Sequence, residues 1–250
     1  DGNADQVLKT DGSGTLGWTT VSAGASAIDG LSDAKLEGTD FTGSMLLGHQ
    51  TTGTLDAADY NVGVGLGALD AITSGDNNTA TGFNALSANT TGGNNTANGS
   101  GALNSTTTGS NNTANGGEAL SSNTTGSYNA ANGHDALNAN TTGSYNTANG
   151  QDALYSNTTG NGNTALGYSA NVSAGDLTNA TALGNGASVT ASNTIQLGNT
   201  DVTDVKTSGT ITAGAITIPN TDGTANQVLT TDGSGTLGWA TDAAGASAID

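Results

Sequence analysis

From Asn61 onward, small and polar residues fall into fixed columns rather than a helical stripe. Glycines recur every 17 residues, at Gly65, Gly82, Gly99, Gly116, Gly133, Gly150, Gly167 and Gly184. Four positions before each of the first seven stands an asparagine (Asn61, Asn78, Asn95, Asn112, Asn129, Asn146, Asn163), with Ala80, Ala97, Ala114, Ala131, Ala148 and Ala165 in between. Ala and Leu then follow side by side, as Ala85–Leu86, Ala102–Leu103, Ala119–Leu120, Ala136–Leu137 and Ala153–Leu154. "NTTG" closes the units at Asn89, Asn123, Asn140 and Asn157, and "TTTG" closes one at Thr106. Columns held in phase predict stacked coils, in which each residue lies over its copy in the next turn.

A helix with this many Gly, Asn and Thr would be costly, whereas short strands suit the pattern. In "NTATG", alternation puts Asn78, Ala80 and Gly82 on one face and Thr79 and Thr81 on the other. The first set is constant while the position of Thr81 varies, so the constant face points inward. A stacked Asn column there predicts a ladder of side-chain amides. Ala85 and Leu86 are read as part of a second strand that is constrained, and so buried, on both faces. One face lines the coil, and the other needs a partner. A coil with one Leu and two Ala is a thin core, so the expectation is a homotrimer that shelters the leucines.

Outside the repeats, "QVLKTDGSGTLGW" at Gln6 returns as "QVLTTDGSGTLGW" at Gln227. Asp1–Asp29 and Asp222–Asp250 match at 23 of 29 positions. Each copy reads as a hairpin with its turn at "DGSG". The expected division is a hairpin joint over 1–24, a connector over 25–59, β-roll repeats over 60–198, neck or stalk strands over 199–221, and a second joint over 222–250. The connector is read as short helical or irregular structure. "GTITAGAITI" reads as a strand with a bulge near Gly214. Trp18 and Trp239, matched in the two copies, are expected to cap apolar layers of a trimer.

Composition changes the picture only by exclusion. Leu, Ile, Val and Phe number 38 of 250 residues, a level that with high net charge normally signals disorder. The phased columns overrule that. A net charge of −18 with three Lys or Arg excludes phosphate-backbone recognition, hence no nucleic acid. No apolar run reaches the length of a membrane span, so no insertion is expected in this segment. The absence of Cys removes disulfides and thiolate metal sites.

"GNTALGYSA", "NATALGNGASVTAS" and "NTIQLGN" resemble head repeats of trimeric autotransporter adhesins. "NTIQLGNTDVTDVKTSG" (Asn193–Gly209) is similar to the neck behind such heads, with Asp201 and Asp204 where those necks carry a charge network. "GDNNTATGFNALSANTTG" and "TSGTITAGAITIPNTDGTANQVLTTDGSGTLGW" resemble repeats of bacteriophage tail fibres. The resemblance implies an all-β, homotrimeric, left-handed parallel β-roll flanked by β-hairpin or β-prism-like stalk modules. It further implies an extracellular place, on a virion tail fibre or a bacterial surface. The function it implies is a structural fibre segment projecting a distal host- or surface-binding tip, with a surface glycan or protein engaged through other modules. The alternative is an adhesin head that itself binds a glycan or matrix, or a filament subunit.

No catalytic, cofactor or metal constellation is found, and an enzyme is not expected. His49 and His134 lack partners at motif spacing, and His134 is expected to be solvated. Glu118, Asp135 and Asp152 share one column and read as a solvated acidic stripe, with weak divalent-cation screening as the sharper alternative. Tyr128 and Tyr145, stacked in one outward column, are the candidates for a glycan. The Thr pairs, such as Thr124–Thr125, form a third candidate surface, a flat face for ice or mineral. The many N-x-T triplets read as turn chemistry.

Overall fold

The computed structural model describes residues 6–10, 16–20, 34–36, 44–47, 58–202, 204–206, 208, 227–231 and 237–241. The chain divides into two units, Asp1–Val205 and Lys206–Asp250. Every regular element among the described residues is a β-strand.

In the first unit, β1 (Gln6–Thr10) and β2 (Leu16–Thr20) pair antiparallel, with Leu8 opposite Trp18. β3 (Ala34–Leu36) pairs antiparallel with β4 (Met45–Leu47). There follow β5 (Val62–Val64), β6 (Thr79–Thr81), β7 (Thr96–Asn98) and β8 (Thr113–Asn115). The series continues with β9 (Ala130–Asn132), β10 (Thr147–Asn149) and β11 (Thr164–Leu166). Beyond it lie β12 (Asn171–Val172), β13 (Thr181–Leu183), β14 (Ser188–Val189) and β15 (Ile195–Leu197). In the second unit, β16 (Gln227–Thr231) and β17 (Leu237–Thr241) pair antiparallel, with Leu229 opposite Trp239. The two hairpin ladders share one register, shifted by the same interval as the sequence duplication.

One eleven-stranded sheet runs from β3 to β15, and every neighbour pair from β4 onward is parallel. Thr79 lies beside Thr96 and Ala80 beside Ala97, so residues stack on their copies 17 positions away. The final step shortens as the glycine spacing does, pairing Thr181 with Ile195. This is a parallel β-solenoid, as the columns predict. The sheet begins earlier than the glycine period, because β4 within the supposed connector already pairs with β5. The connector therefore contains strands where helical or irregular structure was expected. The bulge expected near Gly214 lies outside the described residues.

Inside the coils, Ala80, Ala97, Ala114, Ala131, Ala148 and Ala165 are fully buried, as are the asparagines two residues before them apart from a trace of exposure at Asn129. Each of these Asn side chains works between coils. The Asn78 Oδ1 accepts the backbone N–H of Asn95 at 3.0 Å, and its Nδ2 donates to the Gly92 carbonyl at 2.9 Å. The expected inner amide column is thus present, bonded mainly to backbone. Gly82, expected on the inner face, instead forms the corner after the strand at φ +135, packed on the Gly99 carbonyl.

A second buried amide column came unforeseen from the "NTTG" turns. Asn89, Asn123, Asn140 and Asn157 are fully buried, each closing its own turn by donating to the glycine carbonyl three residues on. Neighbouring amides also join, Asn140 Nδ2 to Asn123 Oδ1 at 3.0 Å and Asn157 Nδ2 to Asn140 Oδ1 at 2.9 Å. Turn chemistry was the right reading of these triplets, but its asparagines belong to the core.

The second strand of the central coils is corrected. Residues after each corner glycine form a turn, and Leu69, Leu86, Leu103, Leu120, Leu137 and Leu154 take φ between 50 and 56°. A left-handed residue breaks the alternation of an extended chain, so Ala85 and Leu86 both enter the same interior. All six leucines are 0% exposed within a single chain. They need no partner, and the argument for a trimer drawn from them falls.

Candidate functional site

With the core closed, the candidate surfaces among the described residues are the outer columns. Three of them differ in kind. The first is the outer face of the long sheet, formed by the first and third residue of each strand. From Val62 and Val64 to Ile195 and Leu197 these positions hold only Val, Thr, Ala, Asn, Leu and Ile. None is charged, although the chain carries 21 Asp and Glu. At its middle, Asn98 donates to Asn115 and Asn115 to Asn132, each at 2.9 Å. At its ends, Val64, Leu166, Ile195 and Leu197 are exposed.

The second is the acidic column. Glu118 is exposed and Asp135 and Asp152 are half-buried, all at φ 57°. Gly101 precedes them and Ser169 follows, so the stripe spans three coils. Among the described residues no group of three or more His, Asp or Glu is placed to hold a metal ion. Asp135 instead accepts from its own neighbours: its Oδ2 lies 2.8 Å from Nδ1 of the exposed His134, and its Oδ1 takes a bond from Asn138 at 2.9 Å.

The third is the aromatic column. Tyr128 and Tyr145 stack with centroids 5.0 Å apart and planes 1° from parallel. Both stand in the left-handed region, at φ 60 and 61°. The same column holds Tyr60, Asn77, Asn94 and Asn111 before them, and Gly162, Asn179 and Asn193 after, all with φ between 53 and 67°. Asn and Gly tolerate that conformation, whereas a tyrosine is held there at a cost of about 1–2 kcal/mol. The 17-residue register alone places Gly162 in this column; the expectation built on Tyr128 and Tyr145 leaves it out.

The threonine pairs divide. The first of each, such as Thr107 and Thr124, is half-buried and donates its hydroxyl to the next coil's carbonyl, at 3.2 and 3.0 Å. Only the second, such as Thr108 and Thr125, is exposed. The pairs therefore present a single exposed hydroxyl column to the third candidate surface, the flat face for ice or mineral. In the segment read as a neck, Asp201 and Asp204 are both exposed, and on β17 Trp239 is 37% exposed. His49 and the side chain of Trp18 lie outside the described residues. Among the described residues no helix is long and apolar enough to cross a membrane.

No family model matches this chain, and neither a curated protein nor a solved structure matches it.

Proposed function

We propose that the chain is a structural segment of an extracellular fibre, phage tail-fibre-like, in which three parallel copies carry a distal binding tip. The observation that carries this reading is the charge-free outer face of the long sheet. Copies bearing −18 each repel one another. A face without a single carboxylate, ending in exposed Val64, Leu166, Ile195 and Leu197, is where they can meet. Exposed apolar residues gathered on an uncharged face, as Leu166 and Leu197 are at one end of this sheet, mark such contacts. The resemblance of Asn193–Gly209 to an adhesin neck, and of the 17-residue repeat to tail fibres, supports the number three. The duplicated hairpin segments support a modular fibre in which this unit recurs.

Sedimentation equilibrium tests it. The expected mass is three times the 24.0 kDa of the chain. The double variant Thr147→Asp with Asn149→Asp sets carboxylates on the face and should yield monomers, while Thr125→Asp, outside it, should not. A wild-type monomer at micromolar concentration overturns the reading.

The stacked, exposed tyrosines favour one second reading, an adhesin head that itself holds a surface glycan. Its test is whether the isolated chain retains any saccharide at all.

A further inference from the structure

Between Tyr60 and Asn193 the column lacks a side chain at one place, Gly162, and the gap has the size of a ring. Backbone register continues through it: Gly162 N–H donates to the Ser144 carbonyl at 3.0 Å, and Asn179 N–H to the Asn161 carbonyl at 2.9 Å. Gly162 therefore lies one coil beyond Tyr145, in the position where Tyr145 itself lies beyond Tyr128. A Cβ built on Gly162 would meet a single atom within 4 Å, the Asn179 backbone nitrogen at 4.0 Å, so the space above it is open. The Tyr128–Tyr145 stack shows that this step accommodates a ring at 5.0 Å. From Tyr145 to the next side chain in the column, Asn179, is two steps, about 9.6 Å at the strand spacing of about 4.8 Å. A six-membered ring placed midway would contact both walls. Tyr145, whose outer face meets this gap, is also the more exposed of the pair, 65% against 53%.

The rim indicates what kind of ring. Asn161, Thr178 and Asn179 border the gap and are exposed. The Asn161 amide is engaged, its Oδ1 accepting from the Ser144 N–H at 2.8 Å and its Nδ2 donating to the Thr159 carbonyl at 3.2 Å, so Thr178 and Asn179 carry the free groups. The Asn179 Nδ2 is engaged with Asn193 Oδ1 at 2.9 Å, which leaves its Oδ1 as an acceptor. The Thr178 hydroxyl makes only a 3.5 Å contact with the Asp176 carbonyl. An aromatic wall with a neutral, hydroxyl-matching rim suits a saccharide, whose ring presents a C–H face and equatorial hydroxyls. The nearby exposed Asp176 and the net charge of −18 disfavour an anionic sugar.

We infer that the gap over Gly162, walled by Tyr145 and Asn179, is a binding slot for one uncharged pyranose ring. This rests on the second reading above and gives it a place and a ligand class. It gives the Tyr145 ring, and the Tyr128 ring stacked behind it, a use at left-handed positions that Asn and Gly fill elsewhere in the column.

The test uses the full chain labelled with 3-fluorotyrosine, observed by fluorine NMR. Lactose and N,N′-diacetylchitobiose are the neutral probes, and 3′-sialyllactose is the anionic one. A neutral probe should shift the Tyr145 resonance most, Tyr128 less and Tyr168 not at all, and sialyllactose should bind more weakly. Gly162→Asn restores the residue type found at Asn111 and Asn179, so it should fold with an unchanged or raised melting temperature. It should also fill the slot and weaken the neutral probe at least tenfold. Saccharide binding that survives Gly162→Asn, or that shifts other tyrosines only, removes the slot and leaves the adhesive reading standing. No shift of any tyrosine with either neutral probe overturns both.

Discussion

The coils before and after Gly167 close the same interior by different means. From Gly82 to Leu154 each corner glycine leads to an adjacent Ala–Leu pair, both buried, with Leu at positive φ. After Gly167 the leucine column continues as Asn171 and Ser188, which are half-buried and exposed, and neither takes positive φ. There the buried residues are Ala170 with Val172, and Ala187 with Val189, and the segments pair as β12 and β14. Alternation returns as soon as the leucine is gone. A bulky apolar residue next to an inward alanine is accommodated by turning the backbone left-handed. A polar residue at that position leaves the backbone extended and lets the following valine fill the core.

The largest expected effect separates the two regions directly. Leu120→Asp puts a carboxylate into a dry interior and removes a 0% exposed leucine. We expect a loss of more than about 4 kcal/mol, seen as lost cooperative unfolding by circular dichroism. Ser188→Asp, in the same column two coils beyond Leu154, should change the denaturation midpoint little, because that side chain already faces solvent. If both variants behave alike, the two regions are not built differently.

The corner glycines come next. At Gly116, with φ +144, a Cβ would overlap the Gly133 carbonyl of the next coil. Gly116→Ala should therefore cost about 1–3 kcal/mol from strain, with the clash added to it. Gly162→Ala, at φ +67 in the left-handed region that L residues can enter and with open space above it, lacks both the clash and most of the strain and should cost about 1 kcal/mol at most. Equal losses by urea denaturation would mean that coil-to-coil contact at the corners is looser than the packing indicates.

The strand half of each coil was legible because its alternation is ordinary: Asn78 and Ala80 go in, Thr79 and Thr81 go out, and the columns report which side varies. The leucine half was not, since a rule of period two presumes extended backbone and six leucines lie where leucine is seldom found. The same presumption turned a buried leucine column into an imagined interface. The outer sheet face was in plain sight as an uncharged set of columns, but it gains meaning only once the leucines no longer need covering. The burial of Asn89 and its copies was not legible for another reason. Asparagine in "NTTG" signals a turn, and nothing in four residues tells whether the amide closes that turn from outside or from within the core.

The smallest effect tests that buried column at its one fault. Along it, each amide oxygen has a donor: Asn123 Oδ1 from Asn140, Asn140 Oδ1 from Asn157, and Asn157 Oδ1 from Asn163 at 3.0 Å. At Asn89 the next residue in line is Thr106, also fully buried, and the Asn89 Oδ1 has no partner. Thr106 serves the coil on its other side only weakly, accepting from Asn123 Nδ2 at 3.4 Å. Thr106→Asn supplies the missing amide at nearly the same volume. Its Nδ2 can reach both Asn89 Oδ1 and the Gly109 carbonyl, as its copies do, and its Oδ1 can take the Asn123 bond. We expect a gain of about 0.5–1.5 kcal/mol, the net worth of a hydrogen bond made where a buried acceptor was orphaned. For a chain of this size that is a rise of about 2–4 °C in melting temperature per kcal/mol. The converse change, Asn140→Thr, orphans Asn123 in the same way and should lose a similar amount. A neutral Thr106→Asn beside a costly Asn140→Thr would mean that the asparagines matter for closing their own turns and that the bonds between coils add nothing.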